Sequence, residues 1–343
     1  DTGTLVRNAA NEYRYSLNSL LGLNKVRKQG VDLPWNLEGI YARYVRDVGR
    51  PYVNPANAAM TMWVAAELGI PLPAPVNDRV AKYLENPQTW RTWEAQAFGW
   101  MILSLVASAT PNDLERAAKL VRFVLERLRD ERTGLFRYCS NGFRKNQASF
   151  GGMAYLTWAL LRYGRRVGER AALDAGLAAC RSLIELQGPQ GQWPWMINVR
   201  SATVSDWYQV YSVHQDAMAP LFLLEALDLG CPEAREAIMR GFNWIVGENE
   251  MGQNMVCNRH SMIYRSVIRK GRFEKAARFV RMLRSDYLRY RDRIASAEHL
   301  RINPECRSYH LGWMLYAFSD RSDFGEITNH EAFLADRAEL ARR

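Results

Sequence analysis

Tyr211, His214, Gln215 and Asp216 fall within six consecutive positions of the stretch YSVHQDAMAPLFLLEA (211–226), and Asp206 and Tyr208 lie just upstream. Histidine, tyrosine and carboxylate side chains are the groups that give and take protons in a transition state. Glu94, His260, Glu305, Tyr309 and His310 are further candidates from distant segments. Arg14, Arg144, Arg200, Arg259 and Arg307 carry forked donors that suit carboxylates and sulfates. Trp93, Trp193, Trp195 and Trp207 offer flat faces for sugar rings. These types together predict chemistry on an acidic sugar. Elimination or epimerisation at C5 of a uronate needs an arginine to neutralise the carboxylate, a base for the C5 proton and an acid. Hydrolysis needs two carboxylates flanking one bond, and Glu94, Asp206, Asp216 and Glu305 are available for that pair. Tyr208, Gln215 and His310 are placed with the substrate-binding set.

Each residue also has a structural alternative. Asp216 precedes Pro220 by four positions and suits an N-cap, so a helix is predicted to start near Asp216, where the first turn tolerates the N–H that proline lacks. His214 can serve as a hydrogen-bonding residue at that start, Asp206 as a turn residue, and Tyr211 and Tyr309 as core aromatics. The Trp-Pro-Trp turn (193–195) can plug a repeat. Cys257-x-x-His260 and Cys306-x-x-x-His310 lack the paired spacing of a metal site, and no metal or other cofactor is expected.

The elements that must position these residues are helices; strand signals are nearly absent. Apolar helices are predicted near 9–29, 56–69, 92–108, 147–164, 216–229, 259–271 and 306–319. Amphipathic helices alternate with them near 36–47, 76–86, 112–129, 168–186, 232–247, 272–296 and 328–341. A stretch such as GGMAYLTWALLRYG (151–164) is apolar on most sides and must be buried nearly all round, whereas DLERAAKLVRFVLERLRD (113–130) has one wet face. The alternation recurs about every 40 to 60 residues, which is the signature of stacked helical hairpins. An all-α toroid, (α/α)6 with seven hairpins as the variant, follows over 1–343 as one domain. In such a ring the N-terminal ends of the inner helices share one mouth. NEYRY (11–15), TWEAQ (92–96), RKNQ (144–147), SDWYQVYSVHQD (205–216), CNRH (257–260) and PECRSYH (304–310) would converge there.

Composition is that of a globular protein, with 48% hydrophobic and 24% charged residues over 343 positions. No apolar run approaches the roughly 20 residues of a membrane span, and no signal segment opens the chain, so a cytoplasmic location is expected. Five scattered cysteines argue against a disulfide framework. The net charge of +10 implies an electropositive surface or cleft, and much of it lies in RFEKAARFVRMLRSDYLRYRDR (272–293), expected to be a solvated helix face. An enclosed mouth favours an acidic oligo- or polysaccharide over nucleic acid, which needs an exposed track.

LIELQGPQGQW (183–193) resembles the QW-type repeat of the terpenoid-cyclase and prenyltransferase toroids, with Gln187, Gly191 and Trp193 after a helix end. GQWPWMINVRSATVSDWYQVYSVHQDAMAPLFLLEAL (191–227) resembles the helical domain of glucuronyl C5-epimerases, and YSLNSLLGLNKVRKQG (15–30) is similar to another helix of that family. The resemblance implies the toroid. The Asp-x-Asp-Asp acid of class II terpene cyclases, an Asp-Asp-x-x-Asp magnesium motif and the β-rich portion of the epimerases are all missing from the sequence. An enzyme acting on an acidic glycan is therefore expected, against an isoprenoid enzyme or a non-catalytic helical binding scaffold.

Overall fold

In the computed structural model, residues 12–46, 54–271, 273–288 and 290–334 are described. Helices α1 (Glu12–Lys28), α2 (Leu37–Val45), α3 (Pro55–Leu68), α4 (Ala74–Glu85) and the single turn α5 (Pro87–Trp90) are followed by α6 (Ala95–Ser108) and α7 (Pro111–Arg127). Next come α8 (Phe150–Val167), α9 (Arg170–Glu185), α10 (Ala219–Asp228), α11 (Glu233–Ile245), α12 (Glu274–Leu288) and α13 (Ser308–Phe318), then the short α14 (Gly325–Thr328) and α15 (Glu331–Leu334). Most follow local rules. Asn54 caps α3 through its side chain with Pro55 in the first turn, and Gly69 ends the helix in the left-handed region at φ 70°. Thr110 with Pro111 and Ser149 do the same for α7 and α8.

Six helices, α1, α3, α6, α8, α10 and α13, pack side by side in that order, and α13 returns onto α1 to close the ring. Their residues are apolar nearly all round: in α6 every position from Ala97 to Val106 is buried. The amphipathic α2, α4, α7, α9 and α11 each pack outside the inner helix before them. Closure at α1–α13 is a glycine crossing. A Cβ at Gly22 would stand 2.1 Å from the carbonyl oxygen of Gly312, and one at Gly312 would stand 2.7 Å from Cα of Ser19. Gly22→Ala is therefore expected to force α1 and α13 apart, at a cost of about 1–3 kcal/mol or more. A thermal-denaturation midpoint equal to wild type would show that the seam can slide.

The seventh inner helix expected at 259–271 is not there. That stretch holds a single 3-10 turn, Asn258–His260, with strands on either side. Short apolar runs such as Met262-Ile263 and Ser266–Arg269 carry no periodicity that separates strand from buried helix. Three small antiparallel sheets form: β1 (Gln147–Ser149) with β2 (Met196–Asn198) and β3 (Thr203–Asp206); β4 (Val210–Tyr211) with β7 (Ser266–Arg269) and β8 (Leu300–Asn303); and β5 (Val256–Cys257) with β6 (Met262–Ile263). β1, β4 and β8 each run into or just ahead of an inner helix, so the first two sheets tie the loops at the mouth together. α12, expected to continue the outer layer, instead lies across β2 and β3. The helix expected at 328–341 begins as α14 and α15, and 335–343 lie outside the described residues.

The helix expected to start near Asp216 starts earlier. Residues from Ser212 are already helical, and His214–Met218 form a wide π turn closed by the Ala219 N–H on the His214 carbonyl. Pro220 has no N–H to give the α ladder, and the wide turn ends just before it. The misplaced proline thus marks a bulge inside a helix rather than its first turn.

Candidate active site

A cavity of about 210 Å³ opens at the mouth of the ring. Its wall is made of residues one turn apart on the inner helices: Arg14 and Asn18 on α1, Gln96 and Trp100 on α6, Gly151 and Tyr155 on α8, His214 and Met218 on the π turn. Trp195, Tyr211, Arg265, Arg307 and Tyr309 complete it from the sheets and the start of α13. Strand register explains the last group. Tyr211 pairs with Ser266, the Ser212 N–H donates to the Arg265 carbonyl at 2.9 Å, and the Arg265 N–H donates to the Asn303 carbonyl at 3.1 Å. Three neighbouring strands therefore set Tyr211, Arg265 and the 303–307 loop side by side.

Glu305 binds both arginines there. Arg307 Nε donates to one of its oxygens at 2.6 Å and Arg265 Nη1 to the other at 2.5 Å. Arg307 also donates to the Tyr15 hydroxyl, and the Tyr15 ring stacks on Tyr309 at 4.7 Å and 22°. The Arg265 guanidinium stands 5.2 Å over the Tyr211 ring and that of Arg14 stands 6.0 Å over Trp100. Opposite them, the rings of Trp195 and His214 are parallel within 11° at 6.1 Å, with Tyr211 against both. Among the described residues the wall carries arginine, tyrosine, histidine and amide groups and no Asp or Glu side chain.

Burial, with His310 nearby, holds the His214 pKa down at about 3, so its imidazole is neutral at ordinary pH. Burial pushes the Tyr309 hydroxyl up to about 12 against the pull of Arg265 and Arg307, and pushes Tyr211 up as well. Both phenols keep their protons. Asn18 Oδ1, Trp100 Nε1, His214 Nδ1 and Arg265 Nε are buried with no hydrogen-bond partner among the described residues. Four orphaned polar atoms around one cavity are what a polar ligand would satisfy.

No family model matches the chain, and no curated protein does. Solved structures do. A cellobiose 2-epimerase from Bacillus thermoamylovorans superposes with a TM-score of 0.61 at 11% identity over 91% of this chain and 87% of that one. A polysaccharide lyase superposes at 0.59 and 10% over 91% of both, and a family 88 glycosyl hydrolase from Bacteroides vulgatus at 0.58 and 10% over 91% and 92%. The chain has the α/α-toroid fold. That is the fold its hairpins and its resemblance to toroid enzymes pointed to.

Of the residues singled out in the sequence, Arg14, Trp195, Tyr211, His214, Arg307 and Tyr309 line the cavity. Others stand behind it. Asp216 is no N-cap; it is buried with its Oδ1 2.6 Å from Nε2 of His310, across the α10–α13 seam. Gln215 accepts from the Trp193 N–H at 3.1 Å and donates to the Tyr211 carbonyl at 2.9 Å, while Trp193 stacks on Phe150. Asp206 is fully buried outside the cavity among Arg269, Arg278 and Arg281. Tyr208 lies beneath Arg269 and donates to Glu250, and Trp93 packs against Trp90 and Phe98. Glu94 accepts from Tyr138, over whose ring Arg144 sits; both are exposed and neither lines the cavity. Arg200 is exposed, and Arg259 and His260 are exposed on the β5–β6 hairpin. Sequence reasoning missed Arg265, because the strand that it leads into was taken for a helix. It also missed Tyr155, and it missed Asn18 and Trp100, each four residues after a position in a polar segment, the spacing that puts two side chains on one helix face.

Proposed function

We propose that the chain is a carbohydrate-active enzyme that removes the C5 proton of a uronate in an acidic glycan, leading to β-elimination or C5-epimerisation. The observation that carries this is a cavity wall with three arginines, four tyrosines, of which Tyr211 and Tyr309 are held protonated, a neutral histidine and, among the described residues, no carboxylate. Arg265 and Arg307 neutralise the uronate carboxylate, which acidifies the C5 proton and stabilises the enediolate-like charge that forms when it leaves. His214 accepts that proton. Burial holds its pKa low, and a bound carboxylate raises it towards the operating range. Tyr309 or Tyr211 supplies the acid, to the leaving oxygen for elimination or to the opposite face of C5 for epimerisation. Tyr15, Tyr309 and Trp195 give the sugar its stacking surfaces. Hydrolysis would need a carboxylate pair at the bond, and Glu305 is occupied by two arginines.

Incubation with uronate polysaccharides in heavy water tests the reading. New absorbance from a conjugated double bond marks elimination, and deuterium at C5 marks epimerisation; reducing ends without either would overturn it. Tyr309→Phe is expected to lower kcat by about 10² or more while KM changes little. A rise in KM with kcat intact would reduce Tyr309 to a stacking surface.

A further inference from the structure

Helix α12 is amphipathic in the wrong sense for a solvated helix. Arg278, Arg281, Met282 and Ser285 turn inward, where Arg278 and Arg281 meet Asp206 at 3.0 and 3.2 Å. Among the described residues the side chains turned outward are mostly apolar, with Arg284 the exception: Phe273 is 81% exposed, Tyr287 70%, Leu288 71%, and Phe279 and Val280 50% each. A contiguous apolar face of this kind on a folded surface marks an interaction site.

We propose that this face joins two copies of the chain through antiparallel packing of α12 on itself. Phe273, Ala276, Val280, Leu283 and Tyr287 follow one another at spacings of three and four, which is the seam of one helix packed along another. The seam is also self-complementary. With a twofold axis midway between Val280 and Leu283, Val280 of one copy meets Leu283 of the other and Ala276 meets Tyr287, small against large both times. Arg284, at the edge of the seam, stands 4.8 Å over the Tyr290 ring of its own chain, and in this register it does not meet Arg284 of the second copy. At about 200 Å² per ring, the three aromatics alone expose on the order of 400 Å² per chain. With Val280, Leu283 and Leu288 added on both copies, the contact reaches roughly 1,200 Å², the lower end of stable interfaces.

Sedimentation velocity and light scattering across a micromolar concentration series are expected to show a reversible dimer. Val280→Glu is half-exposed in the monomer and should leave circular dichroism unchanged while weakening self-association about 100-fold. Chains carrying Ala276→Cys mixed with chains carrying Tyr287→Cys should form an interchain disulfide that neither forms alone, which reports the antiparallel register. A wild-type chain that stays monomeric throughout, or a Val280→Glu chain that still dimerises, overturns the proposal. If the monomer instead sediments with phosphatidylserine vesicles, the face is a membrane contact.

Discussion

Asp206→Asn is expected to lower the stability of the fold by about 3–5 kcal/mol, the usual cost of breaking a buried ion pair from one side. The carboxylate is fully buried, with Arg269 at 3.4 Å, Arg278 at 3.0 Å and Arg281 at 3.2 Å. Burial pushes its carboxyl upward and Arg281 pulls it back, so the group depends on its cations to stay ionised. The amide would leave three clustered guanidiniums with less than their charge in acceptors. Asp292, at 2.7 Å, holds Arg269, and Glu274 holds Arg281, but among the described residues only Asp206 bridges β3 to all three. Urea-unfolding midpoints measure the loss, and faster amide exchange over 274–288 would locate it at α12. A loss under about 1 kcal/mol would mean that desolvation of the cluster cancels its attraction. Asp206 is thus proposed as the anchor of α12 and not as an acid or base.

His214→Gln is expected to cut kcat by 10²–10⁴ and also to change how stability depends on pH. The folded-state pKa of about 3 lies below the ordinary histidine value of about 6.5. The unfolded chain therefore binds a proton that the folded one refuses. Stability is unaffected above about pH 6.5 and falls as the pH drops from there towards 3. At pH 4.5 the penalty is about 2 pH units, or roughly 2.7 kcal/mol. The glutamine variant lacks this penalty, so its stability should fall less steeply in acid. Tyr211, Arg265, Arg307, Tyr309 and the His310–Asp216 pair face the same region and remain in the variant, so the difference between the two profiles isolates His214. Parallel profiles would place His214 in contact with water and remove the case for a dry, neutral base.

Much of the architecture was legible because helical period and helix ends are local properties. The apolar stretches around 56–69, 92–108 and 147–164 became α3, α6 and α8 within a few residues. The gathering of Arg14, Tyr211, His214, Arg307 and Tyr309 at one mouth followed from the ring, since inner helices that alternate with outer ones all point the same way. Pro220 was placed in the first turn of a helix starting near Asp216, and the π turn was missed, because it leaves no mark in spacing that a helix start there does not also leave.

What tertiary structure alone decided is which polar residues face the cavity and which hold it up. Asp206 and Asp216 have the same chemistry in the sequence as any catalytic carboxylate. One is buried in an arginine cluster under α12 and the other against His310, by contacts with residues 63 and 94 positions away. Arg265 enters the wall through the register of β7 with β4 and β8, a pairing that no local pattern encodes. Arg278 and Arg281 turned inward rather than out for the same reason: their partner, Asp206, lies some 70 residues upstream. Helix, cap and ring are set by neighbours a few residues apart; the direction of a charge is set by what the fold brings against it.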